Sequence, residues 1–331
     1  MINDEQAVIA KTDLELITAS EIEPKEVEFL WYPYFPLGKV SIVQGDPGDG
    51  KSTFLLDIAA KLTNGEILPF SEPDTPPEPI KVIYQTTEDD ADDTVVPRFI
   101  RAGGNRDRLI FIKEDKKTLT FADDRIDEAI KRTGAKVLIL DPLSSYIGDC
   151  SLNSANEVRP KFNYLIRYAK ENHCCIIVVN HLNKGDLQKV LYRTPGSIDV
   201  VGAVRSVVTI IRDSDDRDKR YFVQTKSNLA KSGSAFTFSI DENGITYLEE
   251  VDVTPEELMN NASASKGRPD DRLQEAVLFI SDMLADGPVS SKECEERLRE
   301  AGIKATTAKK AKKKLGVLSS KPSLTWTWSL P

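Results

Sequence analysis

The stretch Gly45-Asp-Pro-Gly-Asp-Gly-Lys-Ser-Thr53 decides the fold of this chain of 331 residues. It matches the pattern G-x-x-x-x-G-K-[ST] at every defined position. The apolar run Val40 to Val43 precedes it, and a helical pattern from Thr53 to Leu62 follows. In such a strand-loop-helix context, loop N–H groups and the helix N-terminus point at one place and bind phosphate. The stretch therefore predicts a phosphate-binding loop, or Walker A motif, with an ordinary glycine-rich turn as the alternative.

A loop of this kind predicts a nucleoside triphosphate as the ligand. Lys51 is expected to bridge the β- and γ-phosphates, and the Ser52 hydroxyl to hold Mg²⁺. The expected cofactors are therefore a nucleoside triphosphate and Mg²⁺. The loop residues predicted to bind them are Gly45, Asp46, Pro47, Gly48, Asp49, Gly50, Lys51, Ser52 and Thr53.

The composition is typical of a soluble globular protein, with 40% hydrophobic and 29% charged residues. Apolar runs such as Cys174 to Val179 are too short to span a bilayer, and the N-terminus lacks the features of a signal peptide. We therefore expect a cytoplasmic protein without membrane contact. The four cysteines show no metal-ligand spacing and are expected to be reduced and structural.

The net charge of -9 is distributed unevenly along the chain. Residues 266–331 carry 13 basic and 9 acidic side chains, a charge of +4, which leaves -13 for residues 1–265. A polyanion is therefore expected to meet the C-terminal part or a local channel rather than the whole surface.

Continuous apolar runs alternate with helical patterns in the first two thirds of the chain. The runs are Lys81 to Thr86, Leu109 to Ile112, Val137 to Leu140 and Ile176 to Val179, with helices over Phe121 to Arg132 and 156–171. This arrangement is typical of a parallel sheet covered on both faces. From Ser206 the strands alternate in polarity, so an antiparallel extension is expected. The predicted fold class is α/β.

The same patterns divide the chain into four parts. We expect an N-terminal arm over 1–26, an ATPase domain over 27–253, a polar linker over 254–270 and a small domain over 271–331. The small domain shows three helical segments followed by a β-like end containing two tryptophans. This is the outline of a winged helix-turn-helix.

The segment 29–38 is rich in aromatic residues and is broken by two prolines. Trp31, Tyr32 or Tyr34 could stack on a nucleotide base or pack on a neighbouring subunit. The alternative is a hydrophobic plug that packs on the first strand.

Polar residues that end parallel strands are candidates for the chemistry, because ligands bind at the carboxyl ends of such strands. Asp141 ends an apolar strand and has the form of a Walker B carboxylate that binds Mg²⁺. Glu88 is the candidate general base, at the end of a strand expected to lie next to the phosphate loop. A strand-ending turn is the alternative for Asp141. A solvated acidic helix start, formed with Asp89 to Asp93, is the alternative for Glu88.

The chain contains two histidines. His181 ends a buried strand, where an imidazole could sense the γ-phosphate, and a structural histidine is the alternative. His173 lies in a polar turn and is expected at the surface.

Several separated motifs resemble those of one family. They are Thr87-Glu88-Asp89, Asp141-Pro142, Asn153 to Arg159, His181 to Lys184, Gly196-Ser197 and Ala203 to Ser206. Over about residues 27–250, their order and spacing resemble the RecA-like AAA ATPases of the RepA hexameric-helicase type. This family is found on plasmids, phages and integrated mobile elements.

The resemblance implies a RecA-like core that binds ATP between the subunits of a homo-oligomeric ring, as a hexamer. It makes Lys51, Glu88 and His181 catalytic residues, with Arg205 as an arginine finger that reaches the neighbouring subunit's ATP. Lys226 resembles a lysine presented across the same interface. The residues implied in a DNA-contacting loop are Lys184, Lys189 and Arg193. The alternative for Arg205 is a surface charge, and for Lys226 a strand-end charge.

The C-terminal unit departs from the replicative helicase itself and adds a lysine-rich helix. Its candidate phosphate contacts are Lys309, Lys310, Lys312, Lys313 and Lys314. A solvated helix end is the alternative. The sequence predicts an ATP-hydrolysing motor or loader on nucleic acid, with single-stranded DNA as the expected partner. An ATP-regulated DNA-binding regulator and a P-loop kinase remain alternatives.

Overall fold

The computed structural model describes residues 15–73, 75–114, 117–150, 154–182, 197–213, 216–255, 257–258, 270–285, 287–303, 305–320 and 326–329. Its strands are β1 (Phe29–Trp31), β2 (Phe35–Pro36), β3 (Val40–Gly45), β4 (Val82–Thr86), β5 (Leu109–Ile110), β6 (Val137–Asp141), β7 (Cys175–His181), β8 (Ser206–Arg212), β9 (Lys219–Ser227), β10 (Ala235–Asp241), β11 (Gly244–Val251), β12 (Val289–Ser290), β13 (Leu318–Ser320) and β14 (Thr327–Ser329). The helices are α1 (Lys51–Asn64), α2 (Val96–Arg101), α3 (Asp124–Thr133), α4 (Leu143–Tyr146), α5 (Ala155–Asn172), α6 (Ser197–Ala203), α7 (Asp270–Met283), α8 (Ser291–Glu300) and α9 (Ala305–Leu315).

The central sheet has nine strands in the order β11-β10-β9-β8-β3-β7-β6-β4-β5. The strands from β8 to β5 pair in parallel. Strands β9, β10 and β11 continue the sheet beyond β8 in antiparallel pairs. The predicted α/β class, a mostly parallel sheet with an antiparallel extension, is confirmed.

The strands are continuously apolar because both faces of the sheet are covered. In β6, Val137 and Ile139 point to the face that also buries residues of α1 and α2. Leu138 and Leu140 point to the other face, which is covered by α3, α4, α5 and α6. Alternate residues of β6 therefore enter two separate hydrophobic layers.

The sheet order corrects one expectation about Glu88. The strand that precedes it, β4, pairs with β6 and β5, so β7 and β6 separate it from β3. The expectation that Glu88 ends the strand next to the phosphate loop is therefore wrong. Strands β6 and β7, which come later in the sequence, lie between β3 and β4 in the sheet. The apolar pattern of a strand does not indicate which strands become its neighbours.

Helix boundaries follow local capping more closely than hydrophobic periodicity. Helix α3 begins at Asp124 and not at Phe121, because the Asp123 side chain accepts a hydrogen bond from the Arg125 N–H at 3.0 Å. The adjacent Arg125 guanidinium also lowers the pKa of Asp123 to about 2. Helices α1 and α3 both end at a glycine in the left-handed conformation, Gly65 and Gly134.

The aromatic segment packs into the core and forms the small antiparallel pair of β1 and β2. The Trp31 ring lies 5.4 Å from Phe222 and 6.3 Å from Phe54, measured between ring centroids. Tyr34 is also buried, and its hydroxyl donates to the Ser234 carbonyl at 2.7 Å. Tyr32 is 65% exposed. For Trp31 and Tyr34 the geometry matches the hydrophobic plug, and Tyr32 alone of the three faces solvent.

The C-terminal helices α7, α8 and α9 share a hydrophobic core with a three-stranded sheet in the order β12-β14-β13. The Ser290 side chain accepts from the Glu293 N–H at 3.2 Å and so caps α8. The arrangement has the helices and the β-ribbon expected from the sequence, and its assignment as a winged helix stays a prediction. Within the described ranges, no helix combines the length and apolar character needed to cross a membrane.

The aromatic plug predicts a contrast between neighbouring residues. Trp31→Ala should lower the free energy of unfolding by about 3–5 kcal/mol, because it empties a space inside the aromatic core. Tyr32→Ala should change it by less than about 0.5 kcal/mol. Urea unfolding followed by circular dichroism measures both values, and equal losses in the two variants would contradict the packing described here.

Candidate functional site

The phosphate loop leaves the sheet at its centre, between the ends of β7 and β8. An added Cβ on Gly45 would lie 2.5 Å from the Ile210 carbonyl oxygen, so only glycine allows this approach of β3 to β8. Gly48 and Gly50 have φ angles of +81° and +88°, and Gly50 is the residue from which α1 begins. The loop backbone thus turns through conformations that favour glycine and runs directly into a helix N-terminus.

Lys51 is folded back onto the loop. Its Nζ donates to the carbonyl oxygens of Gly45 at 3.0 Å and Asp46 at 2.9 Å, and its side chain is almost fully buried. Burial lowers the pKa of Lys51, and the nearby carboxylates, Asp49 first, oppose that shift. The ammonium group is therefore held inside the loop by two carbonyl acceptors.

Ser52 and Asp141 meet although 89 residues separate them in sequence. The Ser52 hydroxyl donates to Asp141 Oδ2 at 2.6 Å, and the Tyr84 hydroxyl donates to the same oxygen at 2.9 Å. The second oxygen, Asp141 Oδ1, is buried and has no hydrogen-bond partner among the described residues. Burial raises the pKa of Asp141, and the two hydroxyl donors oppose this rise.

A magnesium ion suits this pair of side chains. Hard divalent cations prefer carboxylate and hydroxyl oxygens, and Asp141 Oδ1 is a buried acceptor with no donor of its own. Among the described residues there is no group of three or more His, Cys, Asp or Glu side chains arranged to hold a metal. The protein would therefore supply Ser52 and Asp141, and the remaining ligands would come from phosphate and water.

Glu88 and His181 form a second contact at the same edge of the sheet. Glu88 Oε1 lies 3.2 Å from His181 Nε2, and both side chains are partly exposed to solvent. His181 Nδ1 and the neighbouring Asn180 Nδ2 are buried without partners among the described residues. Glu88 follows β4, which is not adjacent to β3. The sheet nevertheless brings its carboxylate to the imidazole of His181, which ends β7, the strand directly beside β3.

Arg205 and Lys226 differ in their surroundings. Arg205 is exposed and directly precedes β8. Lys226 is half-buried, and its Nζ donates to the carbonyl oxygens of Val201 at 2.6 Å and Val204 at 2.9 Å, at the end of α6. Burial lowers the pKa of Lys226, and the Arg205 charge adds to the shift. Lys226 therefore has acceptors within its own chain.

The loop residues Lys184, Lys189 and Arg193 lie outside the described residues.

The lysines of α9 differ in their exposure and contacts. Lys312 lies over the Trp328 ring, with Nζ 3.4 Å from the ring centroid, and burial lowers the pKa of Lys312. Lys309 is exposed at the border of a groove that also contains Leu298 and Ile303. Lys310, Lys313 and Lys314 are exposed as well. The expectation that all five lysines reach phosphates is therefore too broad, because Lys312 is engaged by Trp328.

Three further residues contact the site and were not anticipated. Tyr84 lies within the apolar part of β4, and only its phenol hydroxyl indicated that this side chain would need a hydrogen-bond partner. Arg212 Nη2 donates to the Gly48 carbonyl, and the buried Arg220 donates through Nε to the Asp49 carbonyl at 3.1 Å. Both arginines lie at strand ends among other charged residues, so the sequence carried no signal that either one contacts the loop.

Comparison with known proteins gives two kinds of likeness. The chain is 23% identical over 220 residues to the DNA repair protein RadA of Aquifex aeolicus (strain VF5), covering 65% of this chain. It spans 42% of the length of that relative. Among solved structures, a KaiC-like protein from Pyrococcus horikoshii OT3 has a TM-score of 0.48 at 16% identity, covering 65% of this chain and 91% of that chain. The RadB recombinase has a TM-score of 0.45 at 17% identity, covering 65% and 93%.

Residues 7–186 match the model of a family described as the AAA domain. The match covers more than half of the chain and contains the phosphate loop, Glu88, Asp141 and His181. The chain belongs to the AAA domain family.

Proposed function

We propose that this chain binds ATP with Mg²⁺, hydrolyses it, and uses the reaction to move along DNA or to load a protein onto it. One observation carries the proposal: the hydrogen bond of 2.6 Å between Ser52 of the phosphate loop and Asp141 at the end of β6. It joins the two side chains that a magnesium-dependent phosphate site needs.

In this proposal each group of the site has one task. The backbone N–H groups of the loop and Lys51 bind the phosphates. Ser52 and Asp141 hold Mg²⁺, and the bound ion supplies charge neutralisation on the phosphate oxygens. Lys51 donates to carbonyls in the described geometry, so phosphate oxygens would replace those acceptors.

Glu88 is proposed as the general base that accepts a proton from the attacking water at Oε1 or Oε2. Its contact with His181 Nε2 supports a linked role, since His181 contacts the base and is also the register partner of Gly45, the first residue of the loop. His181 would orient Glu88 and respond to the presence of the terminal phosphate.

The first test separates binding from hydrolysis. Lys51→Ala should abolish nucleotide binding or turnover, because it removes the buried ammonium group from the loop. Glu88→Gln should bind ATP normally and lower phosphate release by about 10²–10⁴-fold. Calorimetry measures binding, and release of inorganic phosphate measures turnover.

Asp92→Asn is the matched control, since it removes an exposed carboxylate from the same acidic segment. Full hydrolysis by Glu88→Gln would contradict the role of Glu88. Transfer of phosphate to an acceptor other than water would favour the P-loop kinase.

The proposal of DNA as the partner has two supports. The relative from Aquifex aeolicus is named as a DNA repair protein. The exposed lysines Lys310, Lys313 and Lys314 form a basic face on α9, and Lys309 lies beside the adjacent groove. Lysine clusters give affinity for phosphate backbones without sequence information. We propose that this unit is a winged helix that holds DNA, and that the whole chain acts as a RepA-like helicase or loader.

Single-stranded DNA is expected to raise the ATPase rate. Replacing Lys310, Lys313 and Lys314 with Gln should raise the DNA concentration needed for half-maximal stimulation by about tenfold, because three phosphate contacts are removed. The ATPase rate without DNA should stay unchanged. The measurement is phosphate release against DNA concentration, repeated with RNA.

The matched control replaces Lys81, Lys136 and Lys170 with Gln. All three are exposed, and Lys81 and Lys136 precede β4 and β6 at the edge of the sheet away from the phosphate loop. Equal shifts in both triple variants would show an effect of net charge alone and would contradict a specific DNA-binding face on α9. Strand displacement that follows ATP turnover would exclude a regulator that only switches state.

We propose a ring, as a hexamer, in which Arg205 reaches the ATP of the neighbouring subunit. Arg205 is exposed directly before β8, and its guanidinium could therefore reach a second subunit. Lys226 is proposed to act at the same interface, although its contacts with Val201 and Val204 already give it a structural task.

Mixing two inactive variants tests the role of Arg205. Arg205→Ala subunits keep Glu88, and Glu88→Gln subunits keep Arg205, so mixed interfaces should recover part of the ATPase activity. Co-assembly is verified by the mass of the mixed particles. Proven co-assembly without any recovered activity would count against an arginine finger in trans.

A further inference from the structure

Two arginines stand opposite each other beside the phosphate loop. Arg212 of β8 and Arg220 of β9 are direct partners in the antiparallel register. Like charges in this position repel each other, so such a pair requires nearby acceptors. Burial and the Arg212 charge lower the pKa of Arg220. Both arginines contact the loop, Arg212 at the Gly48 carbonyl and Arg220 at the Asp49 carbonyl.

Asp49 provides the negative charge in this arrangement. Its carboxylate is mostly buried; Oδ2 accepts from the Asp46 N–H at 3.0 Å, and Oδ1 lies 3.7 Å from Arg212 Nε. Burial raises the pKa of Asp49, Asp46 raises it further, and Lys51 and Arg212 oppose the rise. The charged groups that face Asp49 are therefore Asp46 and Lys51 from the loop and its helix, and Arg212 and Arg220 from the sheet.

The loop presents an electrostatic difficulty for a polyanionic ligand. Asp46 and Asp49 put two carboxylates into a turn that is proposed to receive a triphosphate. Lys51 can offset one of these charges. Among the described side chains, Arg212 is the cation within ion-pair distance of Asp49, whereas the Lys51 ammonium donates to the Gly45 and Asp46 carbonyls. Without Arg212, the carboxylate of Asp49 would repel the phosphates across a partly desolvated loop.

We propose that Arg212 is a positioning residue that neutralises Asp49, and that this neutralisation allows the loop to accept the triphosphate. The inference rests on the proposed binding of ATP. It assigns to β8 a task in ligand binding that acts through Asp49 and not through direct contact with phosphate. Arg220 supports the same turn from the buried side, through the backbone.

The test is a double-mutant cycle on the full chain, with ATP and Mg²⁺ as the probe and calorimetry as the measurement. Arg212→Gln keeps a polar side chain and loses the charge, and should weaken ATP binding about tenfold. Arg212→Lys keeps the charge and should stay within about threefold of the unaltered chain. In the Asp49→Asn background, Arg212→Gln should change the affinity by less than about twofold, because no charge remains to be neutralised.

Arg217→Gln is the matched control, since Arg217 is an exposed arginine in the turn between β8 and β9. Equal losses for Arg217→Gln and Arg212→Gln would overturn the proposal. So would an unchanged tenfold loss in the Asp49→Asn background, which would show that Arg212 acts directly on phosphate or on loop shape. Thermal denaturation of each variant verifies folding. If the unaltered chain binds no ATP, the proposed function itself fails, whereas binding without coupling between Arg212 and Asp49 overturns only this inference.

Discussion

The close approach of β3 to β8 is the constraint on which the site depends. A side chain at Gly45 would collide with the Ile210 carbonyl, so the strand can lie here only because it ends in glycine. This approach fixes the phosphate loop between the ends of β7 and β8. Several further groups of the site come from the ends of strands: Asp141 from β6, His181 from β7 and Arg212 from β8. Backbone pairing within the sheet therefore positions much of the chemistry.

Burial and charge act against each other throughout this site. Removal from water raises the pKa of Asp49 and Asp141 and lowers that of Lys51, so each charge is held at a cost. Hydrogen bonds and opposite charges offset part of this desolvation cost. Ser52 and Tyr84 donate to Asp141, and Arg212 lies beside Asp49. Such partly compensated groups are typical of functional sites, since a ligand can complete what the folded chain leaves unsatisfied.

The sequence alone predicted most strands of the central sheet, the phosphate loop, and Ser52 and Asp141 as the magnesium ligands, because each of these has a local sequence pattern. It did not predict the order of strands, so Glu88 was expected beside the loop and is brought there only through His181. Arg212 and Arg220 were missed for a similar reason. Their partners are backbone carbonyls more than 160 residues away, and no local pattern identifies such acceptors. Lys312 was counted as a phosphate contact because helical spacing cannot show that Trp328 covers it.

The two edge strands of the nine-stranded sheet, β5 and β11, differ in length and in what lies beside them. On one side β5 is two residues long. Beyond it, the Gln85 side chain binds the backbone of Ile112, donating to its carbonyl at 3.0 Å and accepting from its N–H at 2.7 Å. On the other side β11 is eight residues long and pairs only with β10 in the described part of the chain. Its exposed residues include Glu249 and Glu250. An edge strand that carries adjacent carboxylates resists the addition of another copy's strand, so this long free edge is guarded against aggregation by charge.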